Sequence, residues 1–248
     1  MTRNRLAYAV AVLATALAVA IAVAASAQER VRLEHGEFEY MVTTTGVLIA
    51  APHGTFDINT DPLAIAVARK LGSGYLLFRG STAAGLRINV NRPTEGAGRA
   101  CANEDRTERA RTVYETYLHL ARTASGGTPL AWYVELHGNA DPRTADRIDV
   151  ASKGISVADA AEMKRRYPAI LAAVQRNAPS FPALELWVEP ADRILFTASC
   201  TKTLGILSID AFARALHFEF PRSARNPDLL DASATLTAAV LQGLPGLR

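Results

Sequence analysis

At 248 residues, 49% hydrophobic and 21% charged, the chain is long enough to bury one sizeable core and needs no second. Its formal net charge is +3, and because residues 1 to 27 contribute two arginines and no acid, the remainder carries only +1, which is no electrostatic footprint for nucleic acid. The two cysteines, Cys101 and Cys200, lack C-x-x-C spacing and neither lies beside a histidine, which disfavours a thiolate metal site; distant thiol pairs in exported chains are often disulfides, but sequence cannot show their separation.

Arg3 and Arg5 precede an uncharged apolar stretch from Leu6 to Ala24, and Ala25-Ser26-Ala27 follows. This is the order of a secretory leader cleaved before Gln28, with residues 28 to 248 as the mature domain in a periplasmic or secreted setting. The alternative is an uncleaved membrane anchor, since the stretch approaches the roughly 20 residues that span a bilayer.

Beyond the leader, Glu37 to Thr45 reads as a β-prone entry and Gly46 to Ala51 as a buried strand. Thr60-Asp61-Pro62 opens a helix with a capping side chain and a first-turn proline, and Gly72 closes it. Tyr75 to Phe78 and Ile88 to Val90 read as short strands around a Gly-rich turn. A polar loop from Pro93 to Asn103 carries Cys101, and the stripe Ala110, Val113, Tyr117 and Leu120 predicts a helix from Asp105 to Thr123. A strand to His137, a polar loop from Asp141 to Lys153 and a helical region from Val157 to Asn177, broken or kinked at Pro168, come next. Leu184 to Val188 and Ala215 to Phe220 are later strands, and Asn226-Pro227 opens a last helix ending near Gly243. Helices interleaved with apolar strands predict an α/β fold, a single-domain mixed sheet flanked by helices on both faces.

Two strands run into His-Gly: Pro52-His53-Gly54, with Asp57 four residues after the histidine, and Leu136-His137-Gly138. Ligands in such sheets collect beyond the carboxyl ends of the strands, and two imidazoles with a carboxylate can hold an ion while leaving a position open for water. His53, Asp57 and His137 are therefore the candidate metal ligands; the alternative makes the histidines strand-end residues bonded to backbone. Alternation along Leu216-His217-Phe218-Glu219-Phe220 puts His217 and Glu219 on one face and the phenylalanines on the other. Glu219 is the candidate base, and His217 is either its hydrogen-bond partner or another ligand. Asn91 and Arg92 are placed to grip a substrate carboxylate, and Arg222 and Arg225 could extend an anion-binding rim. His35 and His119 are read as solvated.

In order and spacing, Pro52-His53-Gly54, Asn91-Arg92, Leu136-His137-Gly138 and His217-Phe218-Glu219-Phe220-Pro221-Arg222 resemble the N-formylglutamate amidohydrolases and the phage-type poly-γ-glutamate hydrolases, within the zinc carboxypeptidase-like enzymes. The resemblance covers about Val47 to Arg225 and implies a zinc carboxypeptidase-like fold with one zinc ion, His53 as first ligand, His137 as last, Glu219 as general base, and Asn91 and Arg92 on the substrate carboxylate. The helix bearing Arg109, Tyr114 and Tyr117 resembles one in the formylglutamate enzymes. The wider group often has Glu three residues after the first histidine, whereas here Asp57 follows by four. The implied activity is hydrolysis of an amide bond in a small N-acyl amino acid or γ-glutamyl peptide; the alternative is a catalytically lapsed anion-binding envelope protein of the same fold. No nucleic-acid partner is expected, and no membrane unless the leader is uncleaved.

Overall fold

The computed structural model describes residues 28–80, 87–96, 100–126, 129–210 and 212–246. The expected leader and most of the Gly-rich turn before Ile88 lie outside the described residues. The strands are β1 (Gln28–Leu33), β2 (Gly36–Met41), β3 (Val47–Ala51), β4 (Gly74–Gly80), β5 (Trp132–Gly138), β6 (Arg147–Lys153), β7 (Glu185–Val188) and β8 (Ala215–Phe220). They form one sheet in the order β1-β2-β4-β3-β5-β8-β6-β7. The central strands β4, β3, β5 and β8 run parallel, while β2 joins β4 and β6 joins β8 antiparallel. The helices are α1 (Thr60–Leu71), α2 (Glu108–Ala124), α3 (Val157–Asn177), α4 (Ser199–Leu204) and α5 (Leu230–Leu241).

Alternation sorts the strand residues into two cores. Val47, Ile49, Trp132, Val134, Leu136, Phe218 and Phe220 pack with Leu63, Val67, Met163 and Val240 from α1, α3 and α5. Leu48, Ala50, Tyr133 and Ala215 face the other way, against Val113, Tyr117 and Leu120 of α2. The expected mixed sheet covered on both faces is thus the observed fold. Among the described residues, no helix is long and apolar enough to cross a membrane.

Several local expectations are corrected. The polar loop expected from Asp141 to Lys153 contains β6, whose Ile148, Asp149, Val150 and Ala151 are buried; Arg147 Nε neutralises Asp149 at 2.8 Å, so the strand can bury a carboxylate. Gln28–Leu33 forms an additional, largely exposed edge strand. Ile88 makes only an isolated bridge to Glu95, and Val90 takes φ 47°, so this segment turns rather than extends. α1 starts beside a left-handed Asn59 without a side-chain cap, although Gly72 closes it in the left-handed conformation as expected. α3 runs unbroken through Pro168, so the proline does not end the helix there; it lies on the exposed side, where water can meet the carbonyl it leaves unbonded.

Candidate metal centre and pocket

Register builds the site. In the parallel pair β5–β8, Glu135 lies opposite His217 and His137 opposite Glu219; successive side chains alternate faces, so all four project towards the face covered by α2. Ala50 of β3 pairs with Glu135 on the other side. Just past β3, a turn in which the amides of Phe56 and Asp57 both donate to the His53 carbonyl at 2.8 Å folds Asp57 back over that histidine.

His53 Nδ1 and His137 Nδ1 lie 3.2 Å apart, and Asp57 Oδ2 is 3.5 Å from the first and 3.3 Å from the second. The outer ring nitrogens are engaged: His53 Nε2 meets the Asn89 carbonyl at 3.0 Å and His137 Nε2 meets Glu135 Oε2 at 3.2 Å. A carbonyl and an ionised carboxylate only accept, so both Nε2 atoms donate, and both rings turn their Nδ1 atoms towards Asp57. Three atoms of metal-ligand type therefore converge, with acceptors behind both histidines of the kind that orient ligand imidazoles at metal sites. His53, Asp57 and His137 form a group able to hold a metal ion, as do Glu135, His137 and His217. The donor set fits the expected ion.

The electrostatics follow from the close packing of these groups. Burial would raise the Asp57 pKa, but hydrogen bonds and charge from His137 and His53 hold it far below the usual carboxylate range. Burial likewise opposes ionisation of Glu135, and His137 and His217 overcome it. His137 would be pushed down by its own burial, yet Asp57 and Glu135 raise it to about 10.

Glycine follows both histidines for reasons of space. A Cβ at Gly54 would fall 1.7 Å from Asp61 Oδ1, and one at Gly138 would fall 2.2 Å from the Arg225 guanidinium carbon. That guanidinium donates to the carbonyls of Phe220, Ile58 and Asn139. Arg225, considered for an anion rim, is instead a buried clamp on three loops.

A pocket of about 660 Å³ opens over the centre, lined by His53, Asp57, His137, His217 and Glu219 together with Arg87, Asn91 and Arg92. Glu219 Oε1 is 3.2 Å from His217 Nε2, so the expected base is present at the pocket and held by its strand neighbour. Asn91 and Arg92 are also at the wall, but their polar groups are engaged. Asn91 Nδ2 donates to both oxygens of Glu135 at 3.2 and 3.4 Å, while Arg92 pairs through two nitrogens with Glu104 and gives a third to Asn91 Oδ1. Arg222 is exposed and lines adjoining cavities beyond Asn139 and Ala140. The Val90 turn, with the Asn91 amide donating to the Asn89 carbonyl, delivers Asn89 to His53 and Asn91 to Glu135. Positive φ at a β-branched residue is an outlier of the kind concentrated at sites.

The opposite wall, Leu195 to Thr201, is held from behind. Asp149 Oδ2 accepts the amides of Leu195 and Phe196 at 2.8 and 3.2 Å, Lys202 pairs with Glu189, and Cys200 is disulfide-bonded to Cys101. Sequence reasoning missed Glu135, Asp149 and Arg87. The signal for Glu135 was available: it lies two residues before His137 on a strand, hence on the same face. On α2, Tyr117 meets the Tyr133 hydroxyl, which donates to Glu135 at 2.8 Å, whereas Arg109 pairs with Glu95 away from the centre.

No protein-family model and no curated protein matches the chain. Among solved structures, it is similar to a bacteriophage poly-gamma-glutamate hydrolase, with 11% identity, TM-score 0.45, and coverage of 85% of this chain and 90% of the other. It is also similar to the N-formylglutamate amidohydrolase of Ralstonia eutropha JMP134, with 16% identity, TM-score 0.47, and coverage of 82% and 96%. Bovine thrombin-activatable fibrinolysis inhibitor, solved with tick carboxypeptidase inhibitor, gives 9% identity, TM-score 0.40, and coverage of 88% and 91%. At these identities the likeness concerns fold alone.

Proposed function

We propose that this chain is an exported, zinc-dependent amidohydrolase acting on a small N-acyl amino acid or a γ-glutamyl peptide. The observation that carries the reading is the convergence of His53 Nδ1, His137 Nδ1 and Asp57 Oδ2 beneath an open pocket that also presents Glu219. These three residues would hold the ion. Bound zinc supplies Lewis acidity to the scissile carbonyl and makes water more acidic.

The remaining chemistry belongs to the chain. Glu219, steadied by His217, accepts the proton of the attacking water and returns it to the leaving nitrogen, so that the amine departs neutral. Asn91 and Arg92 shape the wall on which the acyl or amino-acid part rests, and Arg87 adds a guanidinium without an acidic partner among the described residues. Arg222 would meet only a longer substrate crossing Asn139 and Ala140. Export is supported by the leader pattern and by the Cys101–Cys200 disulfide, which suits an oxidising compartment.

The test is elemental analysis of untagged protein with turnover on N-acyl and γ-glutamyl substrates. The wild type should hold about one zinc per chain, and His53→Ala or His137→Ala should lose it while remaining folded. Glu219→Gln should keep zinc but lower kcat by at least about 10²-fold. Zinc retained by both histidine variants would overturn the ligand set, and zinc without turnover would leave a binding protein.

A further inference from the structure

Glu135 is completely buried, yet its carboxylate meets four polar side chains. Its Oε1 accepts the Tyr133 hydroxyl at 2.8 Å, and Asn91 Nδ2 reaches both oxygens. Its Oε2 serves two imidazoles, His137 Nε2 at 3.2 Å and His217 Nδ1 at 2.9 Å, whose rings stack with centroids 4.0 Å apart. Each imidazole acts onward through its other nitrogen. His137 Nδ1 faces His53 and Asp57, while His217 Nε2 meets Glu219 Oε1 at 3.2 Å.

We propose that Glu135 is a positioning residue common to both halves of the centre, with one carboxylate oxygen orienting the ligand His137 and, through His217, aiming the base Glu219 into the pocket. The inference rests on the reading of His53, Asp57 and His137 as ligands and Glu219 as base. The register of β5 against β8 makes the arrangement possible, because Glu135 opposite His217 and His137 opposite Glu219 place the four groups as two adjacent rungs. Tyr133 and Asn91 prevent Glu135 from rotating away. Glu135, His137 and His217 are close enough to bind an ion themselves, but Glu135 is absent from the pocket lining, so an ion held there would lack the open position that catalysis needs.

The experiment compares wild type, Glu135→Gln, Glu135→Asp, His217→Gln and the double variant Glu135→Gln/His217→Gln. Zinc affinity is read by chelator competition, kcat and KM on zinc-saturated protein, and folding by thermal unfolding. Glu135→Gln should weaken zinc binding by about 10- to 100-fold and lower kcat at nearly constant KM. His217→Gln should keep zinc affinity within about threefold while lowering kcat by about 10-fold or more, since its effect runs only through Glu219. The double variant should lose no more kcat than Glu135→Gln, the non-additivity expected of residues in one chain of contacts. Glu135→Asp, which keeps the charge, should restore part of the zinc affinity and serves if the glutamine variant fails to fold.

Wild-type zinc affinity and kcat in a folded Glu135→Gln or Glu135→Asp protein would overturn the proposal. So would equal zinc loss in the Glu135 and His217 variants, because the ion would then sit on Glu135, His137 and His217. If the wild type binds zinc but hydrolyses nothing, the hydrolase reading fails, and the difference in zinc affinity between Glu135→Gln and His217→Gln still decides the role of Glu135 towards His137.

Discussion

Arg87 and Arg92 both line the pocket, but their charges are not equally available. Arg92 is nearly buried against Glu104, whose side chain is fully buried; burial would raise that carboxyl's pKa, but Arg92 and Thr94 hold it below the usual range. Arg87 stacks 4.7 Å over the Phe56 ring and has no acidic partner among the described residues. A substrate carboxylate should therefore draw more from Arg87, and Arg87→Ala should raise KM for carboxylate-bearing substrates by about 10-fold while sparing an uncharged amide. Arg92→Ala should chiefly destabilise the fold, by about 3 kcal/mol, because it strands Glu104 as a buried charge. Steady-state kinetics and thermal unfolding of both variants check this, and the reverse pattern would return carboxylate recognition to Arg92.

Single residues of the centre were legible in proportion to how local their signals are. His53 and His137 each end an apolar run and precede glycine, and the face alternation of β8 exposes Glu219, so neighbouring residues alone suggest them. Glu135 needed the same alternation applied to β5, where surrounding β-formers disguised an acid whose partners come from β8 and the Asn91 turn. The engagement of Arg92 was invisible because Glu104 belongs to a loop whose path depends on tertiary contacts.

At the level of elements, strongly patterned segments such as β3, β8 and α2 were readable, whereas β6 was not. Its buried Asp149 looks like loop composition until Arg147 and the amides of Leu195 and Phe196 are seen to satisfy it. The six-residue α4 is too short to show periodicity, yet with the preceding loop it forms a pocket wall. The Cys101–Cys200 bond ties that wall to a loop with a sequence separation of 99. In the loop-closure model a link of that span stabilises by about 4 to 5 kcal/mol, and typical losses on removal are about 2 to 5. Cys101→Ser should lower Tm by about 5 to 15 °C under oxidising conditions. Calorimetry of wild type and variant, each with and without reductant, measures the effect; equal Tm throughout would mean that Asp149 and the Lys202–Glu189 pair suffice to hold the wall.

For the whole molecule, folding places a second charge cluster on the side of β4 and α1, where Arg79 serves both Glu39 and Asp61. Burial pushes the Asp61 carboxyl up to about 6 against the opposing attraction of Arg79, and its Oδ1 has no hydrogen-bond partner. Arg79 is itself pushed up, despite its own burial, by the two carboxyls; Glu39 also pairs with Arg30 at 3.3 Å, whereas Asp61 has Arg79 alone among the described residues. Because the folded pKa exceeds the unfolded one, the native state binds more protons between about pH 4 and 6, and Asp61 makes stability fall as pH rises through that window, by up to about 3 kcal/mol. Relative to Asp61→Asn, the wild type should lose Tm progressively from pH 4 to pH 7. A constant difference between the two proteins across that range would contradict the assignment.

The position of β8 between β5 and β6 has a consequence for the order in which the molecule can be completed. β6 and β7 reach the rest of the sheet only through this strand, which lies later in the chain than all the others. His53, Asp57 and His137 are therefore synthesised well before the segment that joins the two parts of the sheet and brings Glu219. A polypeptide halted or clipped ahead of Ala215 would carry His53, Asp57 and His137 while lacking both Glu219 and the seam of the sheet. On the proposed reading such a fragment would hold the ligand residues without the base, so hydrolysis would report that the whole chain has arrived.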